Sequence, residues 1–415
     1  MAIPRPIIRL LVVLLCASPI SLRAQEFKLF NREIQVHGWL SQGFVYTSDN
    51  NWLTMNTSSG SGAMTDMGLN LSTQLTDKLR VGAQGFDRNL GHLGNWHPSL
   101  DWAVADYRFT TWSGIRGGKV KTVLGLYNDS QDQDFLHTFA LLPQSVYPTD
   151  IRDPTIAHLG GDIYGSVSLL RDLGKLSYTA FAGDRRDSIH SGYEYLASAY
   201  NVNYSSYGGL QYGADLRWST PLKGLLIGLS RLNEDLTGEA TSQLAPGSRV
   251  FIAESDHSKQ DWINQFYGQY QGRKFQIDSE YRRFVHDEQF TSGGEAVLDA
   301  QTDVRGWYVS GTYQVMKRLA LGSYYSRYTV NSATEGPYAA LFPAQTDSSL
   351  PANHIYDKVI TARLELKRYW NLKVEGHFMN GFALGSYPEG FYPQVNTHGF
   401  QPETNALVIE TGFNF

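Results

Sequence analysis

The chain has 415 residues, of which 18% are charged and 13% aromatic, with 40 glycines and a single cysteine; ordinary soluble domains carry about 25% charged residues. The aromatic content excludes a disordered chain, and no run of about 18 apolar residues is present to cross a membrane as a helix. The formal charge of -5 excludes a nucleic-acid binder, and one cysteine leaves no disulfide or thiolate zinc site.

Residues 1–24 read as a cleaved secretory signal peptide. Arg5 and Arg9 form its positive region, Leu10 to Leu15 its apolar stretch, and Leu22-Arg23-Ala24 a cleavage site before Gln25. These residues hold three arginines and no acid, so removing them leaves 35 - 3 = 32 basic against 40 acidic residues, or -8. Cys16 leaves with them; Leu15 before it is too bulky for a lipoprotein signal. A short segment, 25–34, precedes the body of the chain, 35–415.

From there the pattern has period two, punctuated by turn residues. It predicts sixteen strands, at 35–46, 66–75, 78–87, 101–109, 118–127, 157–170, 174–184, 207–218, 224–234, 261–271, 273–285, 303–315, 319–330, 355–367, 372–382 and 404–415. Seven tight turns alternate with eight long connections: 47–65, 88–100, 128–156, 185–206, 235–260, 286–302, 331–354 and 383–403. An even strand number with turns short at one end and long at the other is the layout of a transmembrane antiparallel β-barrel. A propeller would show a repeat of about 40–50 residues, and none is seen.

Strand faces are split. Leu210, Tyr212, Ala214, Leu216 and Trp218 alternate with Gln211, Gly213, Asp215 and Arg217; Ile360, Ala362, Leu364 and Leu366 alternate with Thr361, Arg363, Glu365 and Lys367. By the same parity Tyr164, Phe181, Tyr267 and Phe284 point inward. Aromatic residues gather near strand ends, as the bilayer interface favours: Tyr46, Tyr107, Phe109, Trp218, Trp262, Trp307, Tyr324, Tyr325, Tyr328, Tyr369 and Trp370. The final stretch alternates from Leu407 to Phe413 and Phe415.

With its signal peptide, sixteen strands and terminal Phe, the mature chain resembles the sixteen-stranded bacterial outer-membrane porins. The resemblance implies an all-β barrel in the outer membrane of a Gram-negative-type bacterium. It further implies a water-filled lumen for passive diffusion of small hydrophilic solutes, contact with outer-membrane lipid and a homotrimer. Phe413 and Phe415 would be the signal read by the barrel assembly machinery. In that family the third external loop folds inward; here it is 128–156, with acids Asp129, Asp132, Asp134, Asp150 and Asp153 as candidates for the constriction. The acidic tip motif usual in enteric porins is absent. An acidic loop faces a basic wall in such pores and orients dipolar solutes; parity nominates Arg80, Arg108, Lys119, Lys121, Arg217, Arg282 and Arg363. The acids set an expectation of cation preference, which Asp129, Asp132 and Asp134 changed together to Asn would reduce.

The alternatives are an anion-, phosphate- or sugar-selective pore, a structural or adhesive barrel with a blocked lumen, and a barrel hydrolase. No catalytic motif is present: there is no Gly-x-Ser-x-Gly elbow and no phosphate loop. His92 and His97 flank Leu93 to Trp96 and read as loop residues, so no catalytic residue, metal site or cofactor is expected.

Overall fold

The computed structural model describes residues 25–29, 32–245, 248–383 and 390–415. The signal-peptide reading of 1–24, with Cys16, lies outside the described residues. A first short strand, β1 (Gln25–Leu29), forms a hairpin with the next. The wall is then built by β2 (Arg32–Thr47), β3 (Ser61–Gln74), β4 (Leu79–Leu90), β5 (Ser99–Arg108), β6 (Gly114–Lys121), β7 (Ala157–Ser168), β8 (Lys175–Arg186) and β9 (Val202–Ser219). It continues with β10 (Leu225–Gln243), β11 (Phe251–Gln271), β12 (Phe275–Ser292), β13 (Glu295–Met316), β14 (Leu319–Glu335), β15 (His354–Lys367), β16 (Trp370–Asn380) and β17 (Glu403–Asn414). Each strand from β2 pairs antiparallel with the next, and β17 pairs with β2, from Ala406 opposite Thr47 to Asn414 opposite Trp39. The sheet is therefore a closed sixteen-stranded barrel.

The closing seam continues past β17. The amide of Phe415 donates to Gly38 O (2.9 Å) and Gly38 N donates to Phe415 O (3.2 Å). The Phe415 ring occupies the space a Cβ of Gly38 would fill, 2.6 Å from its Cζ. Just beyond, β1 takes over the same edge of β2, with Gln25 opposite Val36. The segment expected as a plain lead-in, 25–34, thus pairs with the wall. Phe413 stacks on Trp370, ring centroids 5.2 Å apart.

The side-chain pattern is that of a soluble protein turned inside out. Leu69, Ile163, Leu210, Ile277, Val309 and Ile360 are exposed on the outer face, Ile360 to 59%. Gln265, Lys373, Glu375 and His377 are fully buried on the inner face. So large an apolar outer surface is stable only against lipid. At the long-loop edge the outer face turns polar along one line of the sheet: Arg231 is opposite Asn264, Asn264 opposite Arg283, and Arg283 opposite Arg305. Trp262 lies under the guanidinium groups of Arg231 and Arg283, at 4.7 and 5.2 Å. This combination of aromatic ring and cation marks the boundary between hydrocarbon and head groups.

That boundary explains two departures from the sequence reading. The connections 235–260 and 286–302 are mostly strand: β10 and β11 run on together to Gln243 and Phe251, and β12 and β13 meet at Gly293-Gly294, both with positive φ. Beyond the lipid the outward positions Asp235, Thr237 and Glu239 are polar while Leu236, Gly238 and Ala240 turn inward. The alternation persists with its sense reversed, and polarity alone reads as loop. The wall strand expected at 118–127 lies at 114–121, so Gly117-Gly118 is within it, and Thr122 leaves the wall. Tyr324 and Tyr328 were expected in the aromatic girdles; both face the lumen and are buried, because the girdle position on that strand belongs to Tyr325, packed edge-on against Trp307 at 5.6 Å.

Substituting Val309→Arg, within the apolar belt, is expected to destabilise the barrel by about 2–4 kcal/mol. Asp235→Arg, past the boundary, should change stability by less than about 1 kcal/mol. Denaturant unfolding of the protein in lipid vesicles measures both.

Candidate pore constriction

The segment 122–156 joins β6 to β7 and is tied off where it leaves the wall. Asn128 Nδ2 donates to Thr122 O (2.8 Å) and Thr155 O (2.9 Å), and Thr122 Oγ1 lies 3.0 Å from His158 Nδ1. From there it crosses the barrel interior and is held by strands around the circumference. Glu280 on β12 accepts from Leu126 N (3.0 Å) and Tyr147 OH (2.6 Å), and Tyr127 OH donates to Asp278 (2.7 Å). Arg282 donates to Val146 O (2.9 Å) and Arg363 to His137 O (2.6 Å). On β16, Glu375 accepts the amides of Ala140 (2.9 Å) and Leu141 (3.1 Å), and Lys373 donates to Phe139 O (3.0 Å) and to the Asp134 carboxylate. On the near side Arg88 donates to Thr149 O (2.8 Å) and Arg152 forms a buried pair with Asp101 (2.8 Å).

Polar side chains facing inward are costly to bury unpaired, and the loop satisfies them with its own backbone. The wall in turn makes room for the loop. A Cβ on Gly306 would stand 1.8 Å from Ser145 O, and on the loop's own side a Cβ on Gly125, at φ +66°, would stand 1.9 Å from Gln265 Nε2 of the wall.

The acids of the loop have unequal roles. Asp132 is buried and paired with Lys121 (2.8 Å), with Gln84 Nε2 donating at 2.6 Å. Burial works to raise its pKa, but Lys121 and Arg152 together hold its carboxyl below the usual range. Asp134 is spent on Lys373 and Asp153 on Arg152 (3.1 Å). Asp150 is buried and accepts from Tyr392 OH (2.6 Å) and Gly390 N (2.8 Å), which joins this loop to segment 390–402; burial pushes its carboxyl up. Asp129 alone among the five makes no side-chain ion pair or hydrogen bond within the described residues. His137 is neutral: burial brings its pKa down to about 4, and its Nε2–H donates to Ser130 O (3.0 Å). Because that value lies below the ordinary 6.5, this seat is fully stable above pH 6.5 and loses stability as the pH falls toward 4.

Two polar clefts open on the tight-turn side of the loop, and Asp129 lines both. One lies between Arg108, Arg116, Tyr164, Lys175 and Arg217. The other lies beside Arg80, Trp102, Asp106, Arg116 and Lys121. Arg116 is paired with Asp162 (2.7 Å) and Arg217 with Asp215 (2.9 Å). Arg80 donates to Ser72 Oγ (2.9 Å), and Arg108 and Lys175 are exposed.

Of the nominated basic residues, Arg80, Arg108, Lys119, Lys121 and Arg217 line these clefts. Arg282 and Arg363 serve the loop backbone on the far wall. Lys119 pairs in register with Ala103 and with Leu159, whose side chain faces outward, and its Nζ donates to Leu100 O (2.7 Å). Arg88, Lys373 and Glu375 were not anticipated. The inward run Lys373, Glu375, His377 on β16 was the signal for two of them. His92 stacks on Tyr195 (5.3 Å) and His97 on His190 (4.1 Å). The described residues contain no group of three His, Cys, Asp or Glu able to hold a metal.

No family model matches the chain, and no curated protein is similar to it in sequence. Solved structures share its fold. The outer-membrane channel DcaP of Acinetobacter baumannii has a TM-score of 0.55 at 13% identity, covering 94% of this chain and 99% of that one. The anion-selective porin from Comamonas acidovorans has 0.53 at 10% identity, covering 92% and 100%. Salmonella typhi OmpF, solved with daunomycin, has 0.53 at 13% identity, covering 94% and 100%. The chain thus has the sixteen-stranded fold of the bacterial outer-membrane porins, which is the fold the sequence implied.

Replacing Gly306 with Leu is expected to force segment 122–156 off the far wall at Ser145, toward β3–β9, and narrow the open side. Single-channel conductance should fall below wild type, and an unchanged value would show that the loop does not limit passage.

Proposed function

We propose that this protein is a non-enzymatic outer-membrane channel through which small hydrophilic solutes diffuse passively along the β3–β9 wall. The observation that carries this reading is the pair of polar clefts meeting at Asp129, on the loop that crosses the lumen. In a barrel of about 16 strands the interior is wide enough for an aqueous path, and two structural neighbours bear the words porin and channel in their titles. The constriction would comprise Asp129 opposite Arg80, Arg108, Arg116 and Arg217, and Asp132, Asp134, Asp150 and Asp153 would hold the loop rather than meet the solute. The clefts are lined by Arg80, Arg108, Arg116, Lys119, Lys121, Lys175 and Arg217 against Asp106, Asp129 and Asp215. With Asp132 and Asp162 neutralising two of these bases, a small positive surplus remains. The pore would favour small anions weakly, which replaces the cation preference expected from the loop acids alone.

The protein would assemble as a homotrimer in outer-membrane lipid, as one structural neighbour is titled a trimer form, with Phe413 and Phe415 as its assembly signal.

A second reading, a structural barrel with a blocked lumen, is favoured by one observation. On the long-loop side Leu232, Ile263, Phe284, Val304 and Val330 face inward and pack with Ile151. Purified protein in a planar bilayer separates the two. Steady ohmic steps, with a reversal potential in a salt gradient that shifts further toward anions in Asp129→Asn, support the channel. Silence would establish the blocked barrel.

A further inference from the structure

A second cavity lies at the long-loop end, well separated from Asp129. It opens, with about 920 Å³ of free space including solvent at its mouth, between the short helix Gly192–Ser198, segment 338–342 and the extended upper parts of β9, β11, β12 and β13. Its walls are aromatic: Tyr200 and Phe342 meet with ring centroids 4.7 Å apart, Tyr204 and Tyr207 at 5.6 Å, and Tyr193 and Tyr207 at 6.2 Å. Leu196, Leu298 and Leu341 complete an apolar lining.

Set into this lining are carboxylates. Asp256 is only 4% exposed. Its Oδ2 accepts from Tyr204 OH (3.1 Å), and its Oδ1 has no partner. A buried carboxylate oxygen left without a donor is expensive, so the site lacks the group that would pair with it. Glu288 lies beside it, its Oε2 3.4 Å from His286 Nε2, and His286 Nδ1 is bonded to Asp261. Glu194 is the third acid of the lining; burial brings its pKa up to about 7. No Lys or Arg is among the described lining residues, and the lining histidine, His286, is already engaged by Asp261 and Glu288. The nearby Arg185, 5.9 Å from the Tyr193 ring, is already held by Asp187 (2.7 Å) and Glu234 (2.9 Å).

We propose that this vestibule binds a small organic cation that carries an apolar or aromatic group. The ammonium would donate to Asp256 Oδ1 and lie next to Glu288, and the rings would accept both its charge and its apolar part. Tyrosine hydroxyls could also meet a sugar, but three carboxylates in the lining, Glu194, Asp256 and Glu288, favour a cation over a neutral ligand. The site is distinct from the proposed solute path, and its occupancy does not depend on whether the barrel conducts.

Calorimetric titration of the full chain in non-ionic detergent with 2-phenylethylammonium chloride tests this. The neutral isostere 2-phenylethanol and a malto-oligosaccharide serve as comparison probes. Saturable binding of one ammonium per chain is expected, at least about tenfold tighter than the alcohol, and Asp256→Asn and Glu288→Gln should each weaken it about tenfold. The alcohol should bind wild type and Asp256→Asn alike. No saturable binding, equal affinity for ammonium and alcohol, or preference for the sugar would overturn the proposal. Heat-dependent gel migration reports whether a variant has folded, and the ammonium-against-alcohol comparison on wild type requires no variant.

Discussion

Hydrocarbon offers no hydrogen bonds, so every backbone N–H and C=O that enters it must be paired within the protein. The rest of this structure follows from that condition. A sheet can meet it only by closing on itself, and here β17 returns to β2, with the last amide and carbonyl paired to Gly38. Closure sends one face of each strand to lipid and the other to the interior, and the side chains sort accordingly. Apolar residues such as Val309 and Ile360 face outward, and charged residues such as Glu280 and Lys373 face inward.

The inward charges then become the means of building an interior. In a wide barrel the inner face cannot pack against itself, and its buried carboxylates and ammonium groups need partners. Segment 122–156 supplies them. Its amides and carbonyls pair with Glu280, Glu375, Arg282, Arg363 and Lys373 around the circumference. Interactions of this kind are directional and each is costly to leave half-made. They fix the loop in one place across the lumen. What they leave open is the side along β3–β9, where Asp129 faces a basic wall.

Much of this was legible from residue types. Each of the sixteen wall strands overlaps one that period-two alternation predicts, although β6 begins and ends several residues earlier than expected, because a strand with lipid on one side and polar groups on the other displays that alternation clearly. The same signal weakens once the strand leaves the bilayer. On β10 the outer residues become Asp235, Thr237 and Glu239 and the inner ones Leu236 and Ala240, so the strand reads as loop. The candidate site was legible in its location and obscure in its detail. The third long connection does cross the interior, but composition cannot tell an acid that faces solute from one that ties the loop down. Asp132 and Asp134 have partners, Lys121 and Lys373, that lie 11 and 239 residues away in sequence, and only tertiary structure brings the second pair together.

The central claim is that the chain is a closed cylinder with lipid against its outer face and water reaching Asp129 within. Cys16 is the only native cysteine and precedes the barrel, so single labels can be placed cleanly on the wall and the loop. Spin labels on Phe266→Cys and on Asp129→Cys, in the protein reconstituted in lipid, can be tested for collision with oxygen dissolved in the bilayer and with a water-soluble nickel complex. The structure predicts that the label at 266 meets oxygen and is shielded from nickel, and that the label at 129 meets nickel. A label at 129 inaccessible to nickel, or one at 266 bathed in it, would contradict the account.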